Sequence, residues 1–407
     1  MKKIMMAVIA ASAIALFDGC TSSTSCDAKK SDCLLFKSEG IASEKTGWRL
    51  KRSEAGKIVY IPFEGYYESK GGRIESQKID LKGAKYCKMT FKAKAEVDGL
   101  WWVDLFDEKG NLLPDMNSRL YQSEEWKEYS VVVPVIRYAK SAQLAFVSKK
   151  GVSVKDVTFT KIPNCAAAKW CDDFYATLPQ LNYEAPASSW DKLPKSKEKL
   201  ISGKPLRIVL LGDSIMNDTY CGNLSALVQR EFPNVEFIIS VRGSTGCWYY
   251  YEKDKFEEYV TRHNPDLVII GGISNNVGCN DDVAFERMVT TIERAKAAGI
   301  EVCVATPPPS YEWRTSPDDV KWNEEDCSYP PKNATRGFKY FRRGYQEKAV
   351  KQTGVTLWNV STPPGKVIAN SRKPLDWFKR DAAHNDDRGK QLIARTMLEY
   401  FRAAKKK

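Results

Sequence analysis

Histidine is nearly absent from this chain: 407 residues carry two, His263 and His384. There is no CxxC pair and no HExxH, so neither a zinc site nor any other metal centre is expected, and no cofactor is implied. Basic runs are scarce too. The net charge is +12 and the pI about 9.0, yet the one basic block is Lys405-Lys406-Lys407. Without a zinc-finger or RNP pattern, nucleic acid is not an expected partner. The basic balance suits a polyanion such as a uronate or sulfated polysaccharide, or an anionic surface. No stretch reaches the length of a membrane span. With 43% hydrophobic and 28% charged residues, the composition is that of a soluble globular protein, and 407 residues suggest two or three domains.

The first residues read as a targeting segment. Lys2 and Lys3 precede an apolar run from Ile4 to Phe17, a basic n-region followed by a short h-region. Gly19 and Cys20 follow, and residues 1–20 resemble a bacterial lipoprotein signal in which Cys20 is lipidated. Phe17 and Asp18 depart from that pattern, so plain secretion and an uncleaved anchor are the alternatives. Either way the protein is expected to be exported, as a periplasmic or cell-surface lipoprotein or a secreted protein. Residues 21–34 are small and polar and read as a tether.

Export permits disulfides among the eleven cysteines, whose pairing the sequence does not give. Cys303, inside "IEVCVAT", reads as a buried small hydrophobe. Cys221, Cys247 and Cys279 follow three loops discussed below. At least one disulfide among them, or between one of them and Cys327, is expected, against the alternative of free buried thiols.

From 35 to 162 short segments such as "KYCKMTFKAKAEV", "LWWVDLFD" and "AQLAFVSK" alternate with turn signals, and no long amphipathic helix intrudes. Regularly spaced strands predict an all-β sandwich, similar in segment order to a jelly-roll carbohydrate-binding module. Trp101 and Trp102 should face opposite sides of a strand, one in the core and the other free to serve as a sugar platform. Residues 163–204 lack a clear period and read as linker, with Cys165 and Cys171 either stapling it to itself or free or separately paired. From 205 to 403 buried strands ("LRIVLLG", "VEFIISV", "DLVIIGG", "EVCVAT") alternate with helix-like segments. That alternation predicts a parallel sheet covered on both faces, whose ligands bind at the carboxyl ends of the strands.

Four strand-end features fall on that rim. Ser214 follows Gly212-Asp213 after the first strand, where a new helix begins and unpaired amides favour negative charge. Alone, this could be a plain helix cap. Gly243 and Gly246 follow the second strand, and "GGISNN" with Ser274, Asn275 and Asn276 follows the third. "DAAH", Asp381 to His384, precedes the last helix with a spacing that lets the carboxylate hold the imidazole. His263, between a helix-like stretch and Pro265, reads as a helix-end or surface residue.

Over roughly 205–403 these blocks resemble the GDSL-type or SGNH hydrolases. The match is carried by Gly212-Asp213-Ser214, Gly243, the Gly271-to-Asn276 loop and Asp381-x-x-His384. The third block departs from the family's usual Gly-x-Asn-Asp. The resemblance implies a flavodoxin-like three-layer α/β fold and ester hydrolysis through an acyl-enzyme. It casts Ser214 as nucleophile, His384 as base and Asp381 as its orienter. The Ser214 and Gly243 amides and the Asn275 side chain would form the oxyanion hole, with Asn276 as second choice for the last donor. Asp386 and Asp387 are competitors to Asp381 that the family spacing disfavours. The long stretch after the fourth strand, with Tyr311, Trp313, Trp322, Tyr329 and Arg336, could wall a glycan site or simply be an aromatic-stapled loop. The expected substrate is an acylated polysaccharide. A lipase or thioesterase, and a glycan-binding protein with an inert hydrolase domain, are the alternatives.

Overall fold

The computed structural model describes residues 33–37, 48–51, 58–61, 66–69, 71–240, 252–272, 281–309 and 344–406. Gly243, Gly246, Ser274, Asn275, Asn276, Cys247, Cys279, Cys327 and the aromatic stretch from Tyr311 to Arg336 lie outside them, as do residues 1–32.

Twelve strands build the first half: β1 (Cys33–Lys37), β2 (Trp48–Lys51), β3 (Ile58–Ile61), β4 (Tyr66–Ser69), β5 (Gly72–Ser76), β6 (Ile79–Asp80), β7 (Tyr86–Ala95), β8 (Gly99–Phe106), β9 (Met116–Leu120), β10 (Ser123–Pro134), β11 (Ser141–Ser148) and β12 (Val152–Ile162). They form two antiparallel sheets, one in the order β10-β7-β12-β4-β3 with β1 on β12, the other β2-β5-β11-β8-β9 with β6 on β11. Alternation explains the sandwich. Cys87, Met89, Phe91 and Ala93 on β7 point into the core, while Lys88, Thr90, Lys92 and Lys94 look outward. Trp101 is fully buried and Trp102, on the opposite face, is half-buried with the Arg73 guanidinium 5.3 Å from its ring, so the free sugar platform expected there is instead a stacked pair.

Residues 163–204 hold α1 (Asn164–Tyr175) and α2 (Pro194–Ser202), and are packed in place by Ala167, Ala168 and the fully buried Trp190. Trp190 sits among Trp358 and Phe401, and its indole N–H donates to the Tyr400 carbonyl. Cys165 is disulfide-bonded, but Cys171 is a free buried thiol, so these two do not staple the stretch to itself.

The second half contains β13 (Leu206–Gly212), α3 (Ser214–Cys221), α4 (Leu224–Glu231), β14 (Val235–Ser240), α5 (Lys253–Tyr259), β15 (Leu267–Gly272), α6 (Asp281–Ala297), β16 (Glu301–Ala305), α7 (Gly344–Thr353), β17 (Thr356–Trp358), α8 (Thr362–Asn370) and α9 (Asp387–Ala403). The five strands are parallel in the order β14-β13-β15-β16-β17, the flavodoxin-like doubly wound arrangement. Each strand is apolar on both faces because helices cover both. Ile208 and Leu210 join Leu227, Met397 and Phe401 on one side, and Val209 and Leu211 join Phe256, Met288 and Ile292 on the other. No helix of the described residues is long and apolar enough to cross a membrane.

Candidate active site

β13 ends at Gly212, and Asp213 caps the next helix by accepting a hydrogen bond from the Ile215 N–H at 2.9 Å. The capping role thus belongs to Asp213, which leaves Ser214 as the first residue of α3 with its hydroxyl free for other partners. Helix and sheet touch closely here. A Cβ on Gly271, near the end of β15, would press on the Met216 side chain, whose tip would have to shift and whose Cβ would stand 3.3 Å away, so α3 packs closely on the neighbouring strand here.

The segment before α9 doubles back on itself. Lys379 and Asn385 form an isolated antiparallel bridge, and the Arg380 N–H donates to the His384 carbonyl at 3.0 Å. Inside this loop Asp381 Oδ1 accepts from the backbone N–H groups of Ala383 (2.9 Å) and His384 (2.8 Å). The same carboxylate faces the imidazole, with Nδ1 at 2.8 Å from Oδ1 and 2.9 Å from Oδ2. An ionised carboxylate only accepts, so His384 Nδ1 carries the hydrogen and Nε2 is left as an acceptor. Ser214 Oγ lies 2.7 Å from that Nε2. Ser214, His384 and Asp381 therefore form one continuous hydrogen-bonded chain. Its residues are neither sealed nor fully open: the imidazole is 20% and the carboxylate 27% exposed.

Burial pushes the Asp381 carboxyl upward, but the His384 hydrogen bond and charge, together with the Arg380 guanidinium, outweigh it and hold the group well below the usual carboxylate range. Asp386 and Asp387 do not compete for the imidazole. Asp386 caps α9, accepting from the N–H groups of Arg388 (2.9 Å) and Gly389 (3.1 Å) and from the Tyr121 hydroxyl (2.6 Å). Asp387 stands 4.0 Å from Lys390, and burial pushes its carboxyl up to about 6.

His263 is elsewhere. It does end a helical stretch, in a 3-10 turn (Thr261–His263) after α5, but it is buried rather than at the surface. Cys221, at the end of α3, is a free buried thiol, so it braces no disulfide, while Cys247, Cys279 and Cys327 lie outside the described residues. Cys303 is a fully buried free thiol in β16, and burial raises its pKa well above the ordinary value. No cluster of metal-ligating side chains occurs among the described residues.

Several charged residues lie under the chain, and of these only Asp386 was singled out from the sequence. Lys379, Lys390, Asp218 and Asp386 are almost wholly buried, and Arg380 nearly so. Burial brings the Lys379 ammonium down to about 8, with Asp218, Asp381 and Asp386 opposing it.

No family model and no curated protein matches the chain. Among solved structures, a two-domain esterase active on acetylated mannans matches at 14% identity and a TM-score of 0.40, covering 54% of each chain. The chain thus spans about half the length of that esterase. A GDSL-like lipase from Bacteroides thetaiotaomicron matches at 16% identity and a TM-score of 0.33, over 58% of this chain and 98% of that one. A structure described as CBM4 matches at 17% identity and a TM-score of 0.21, over 26% of this chain and 76% of that one. Likenesses of this size say nothing about activity.

Proposed function

We propose that the protein is an exported serine ester hydrolase that removes O-acetyl groups from a polysaccharide, working at the cell surface, in the periplasm or in the medium. The observation that carries this is the Ser214–His384–Asp381 chain, with contacts of 2.7 and 2.8 Å. In this reading Ser214 Oγ attacks the ester carbonyl while His384 Nε2 takes its proton. The imidazolium then returns a proton to the leaving alcohol, and an acyl-serine remains. Water, activated by the same imidazole, cleaves the acyl-serine to acetate. Asp381 holds the Nδ1–H tautomer and stabilises the imidazolium.

The developing oxyanion needs donors. The Ser214 N–H belongs to the first turn of α3, where amides have no intrahelical partner. Gly243 N–H and the Asn275 side chain, or Asn276 in its place, complete the proposed hole. Paired alanine variants of the two asparagines, compared for turnover, decide between them.

A glycan substrate is favoured by the sandwich. The irregular register of β10 between Ser123 and Lys127 carries Trp126 to within 5.3 Å of the Tyr66 ring, edge to face. Beside Tyr66 lies a groove of about 440 Å³ lined by Glu68, Lys94, Gln122 and Ser153. Tyr66 beside these polar side chains suits a sugar, whereas the Trp126 ring already carries the Lys94 and Lys155 ammonium groups at 4.8 and 4.3 Å. Export, with Cys20 as a lipid tether, is part of the same proposal, and labelling with a fatty-acid probe in Cys20→Ala and unaltered cells tests it. Acetate release from a panel of acetylated polysaccharides, with Ser214→Ala as control, tests the activity. Release by the unaltered protein alone supports the reading. Preference for octanoyl over acetyl nitrophenyl esters would instead favour an acyl-chain hydrolase.

A further inference from the structure

The described part of the sandwich ends in an edge strand, β9, whose outer side is not open to solvent. An edge strand presents a row of unpaired backbone groups, and here side chains of the second half reach two of its carbonyls. The Asp115 carbonyl, just before β9, accepts from Asn217 Nδ2 at 2.6 Å, and Asn217 lies one turn after Ser214. The Asn117 carbonyl accepts from Arg380 Nη1 at 3.4 Å and from the Lys390 ammonium of α9. Arg119 Nη1 donates to the Asp376 carbonyl at 3.0 Å and the Lys379 carbonyl at 3.4 Å. The Tyr121 hydroxyl donates to Asp386 at 2.6 Å. The carbonyls of residues 115 and 117 share the free edge of the strand, and the side chains of residues 119 and 121 share one face. Their partners are the helix that carries Ser214 and the loop and cap that carry Asp381 and His384.

Arg380 is where these contacts meet the reacting groups. Its Nε stands 3.5 Å from Asp381 Oδ2 and its Nη1 3.8 Å from Asp218 Oδ1, while the other Asp218 oxygen accepts from the Asn385 N–H at 2.9 Å. The side chain is 9% exposed. A planar guanidinium can address a carboxylate, a second carboxylate and a carbonyl at once, which an ammonium on a flexible stem does not do from one position. Around it lie Asp381, His384 and Lys379 on its own segment, Asp218 on α3, and Lys390, Asp386 and Asp387 at the start of α9.

We propose that Arg380 is a positioning residue for the Asp381–His384 pair and that the β9 edge of the sandwich, through the Asn117 carbonyl and Arg119, holds it in place, so that the β domain is a structural part of the active site. This rests on the reading of Ser214, His384 and Asp381 as a hydrolytic triad. It goes beyond that reading in giving the sandwich a part in turnover of substrates too small to touch it.

The test is steady-state hydrolysis of p-nitrophenyl acetate by the full-length protein, with active sites counted by organophosphonate labelling. Arg380→Met should lower kcat per labelled site by about 10–10²-fold, the cost of a small misplacement of catalytic groups, with KM nearly unchanged. Loss of the cation eases protonation of the imidazole, so the acid limb of kcat/KM should move to higher pH. Arg380→Lys should return the limb towards its original place while leaving kcat low, because charge is restored and the fork is not. Arg119→Met, wholly within the sandwich, should lower kcat by about 3–10-fold by the same misplacement. If Arg380→Met does not fold, Arg380→Lys and Arg119→Met carry the comparison. Variants that keep more than half of kcat per labelled site with an unmoved acid limb would overturn the proposal. So would a loss that disappears once active sites are counted. Activity surviving in Ser214→Ala would instead remove the triad reading itself, a separate failure.

Discussion

The two histidines of this chain show how surroundings decide what an imidazole can do. His384 has a carboxylate on one nitrogen and a hydroxyl on the other, Asp381 at 2.8 Å and Ser214 at 2.7 Å. His263 has the Tyr138 hydroxyl 3.1 Å from Nδ1 and the Arg262 Nε donating to Nε2 at 3.3 Å. Arg207 donates to its carbonyl at 3.0 Å, and Arg137 and Arg207 both pair with nearby Glu236. The first environment sets the imidazole in line between a carboxylate and a hydroxyl, as the proposed proton transfer requires. The second repels one: burial, then Arg262, Arg137 and Arg207, bring the His263 pKa down to about 4, with Glu236 opposing. One histidine joins a carboxylate to a hydroxyl, and the other is kept neutral by its surroundings.

The sharpest way to break this contrast is a matched pair of substitutions. His384→Gln should cost about 10⁴-fold or more in kcat, as loss of a triad base does elsewhere. His263→Gln should stay within about threefold, since it touches no reacting group. Hydrolysis of p-nitrophenyl acetate reads both, and equal losses would end the distinction. Asp381→Asn belongs with the first, because an amide favours the wrong imidazole tautomer, and a loss of about 10⁴-fold is expected.

The second way uses acid. A group whose folded pKa lies below its unfolded value contributes stability present above the unfolded pKa and lost as pH falls towards the folded one. For His263 that window runs from about 6.5 down to about 4. The unaltered protein should lose about 1–3 kcal/mol across it through this residue. Urea unfolding at several pH values should therefore show a shallower acid slope in His263→Gln, and an unchanged slope would contradict the burial and arginine account. The smallest effect is expected from Tyr138→Phe, which removes one partly exposed hydrogen bond to His263 and should cost about 0.5–1.5 kcal/mol in the same assay.

These environments were unequally legible in the sequence. Around His384 the signal was local: Asp381 lies three residues away, and Ser214 follows a strand whose apolar run and terminal glycine place it on the same rim. The parallel sheet followed from runs such as "LRIVLLG" because strands covered on both faces must be apolar throughout. The helix end at His263 was visible too, but its burial was not. Tyr138, which covers it, comes from the other domain, more than a hundred residues away. The Arg73 guanidinium beside Trp102 was out of sight for a similar reason, since Arg73 lies on β5, two strands away from β8 in the sheet. The contacts that this edge makes with the site left little trace, because Asp115 and Asn117 act through backbone carbonyls that any residue type supplies, and Arg119 and Tyr121 through side chains whose partners are more than 250 residues away. Packing between distant segments, and main-chain chemistry in general, leave little composition signature.

The claim that Ser214 is activated by His384 is tested most directly by labelling with a fluorophosphonate and mapping the adduct by peptide mass spectrometry. One adduct on Ser214 is predicted, absent from Ser214→Ala, formed far more slowly in His384→Gln and at an unchanged rate in His263→Gln. No adduct on Ser214, or equal labelling rates in the two histidine variants, would contradict it.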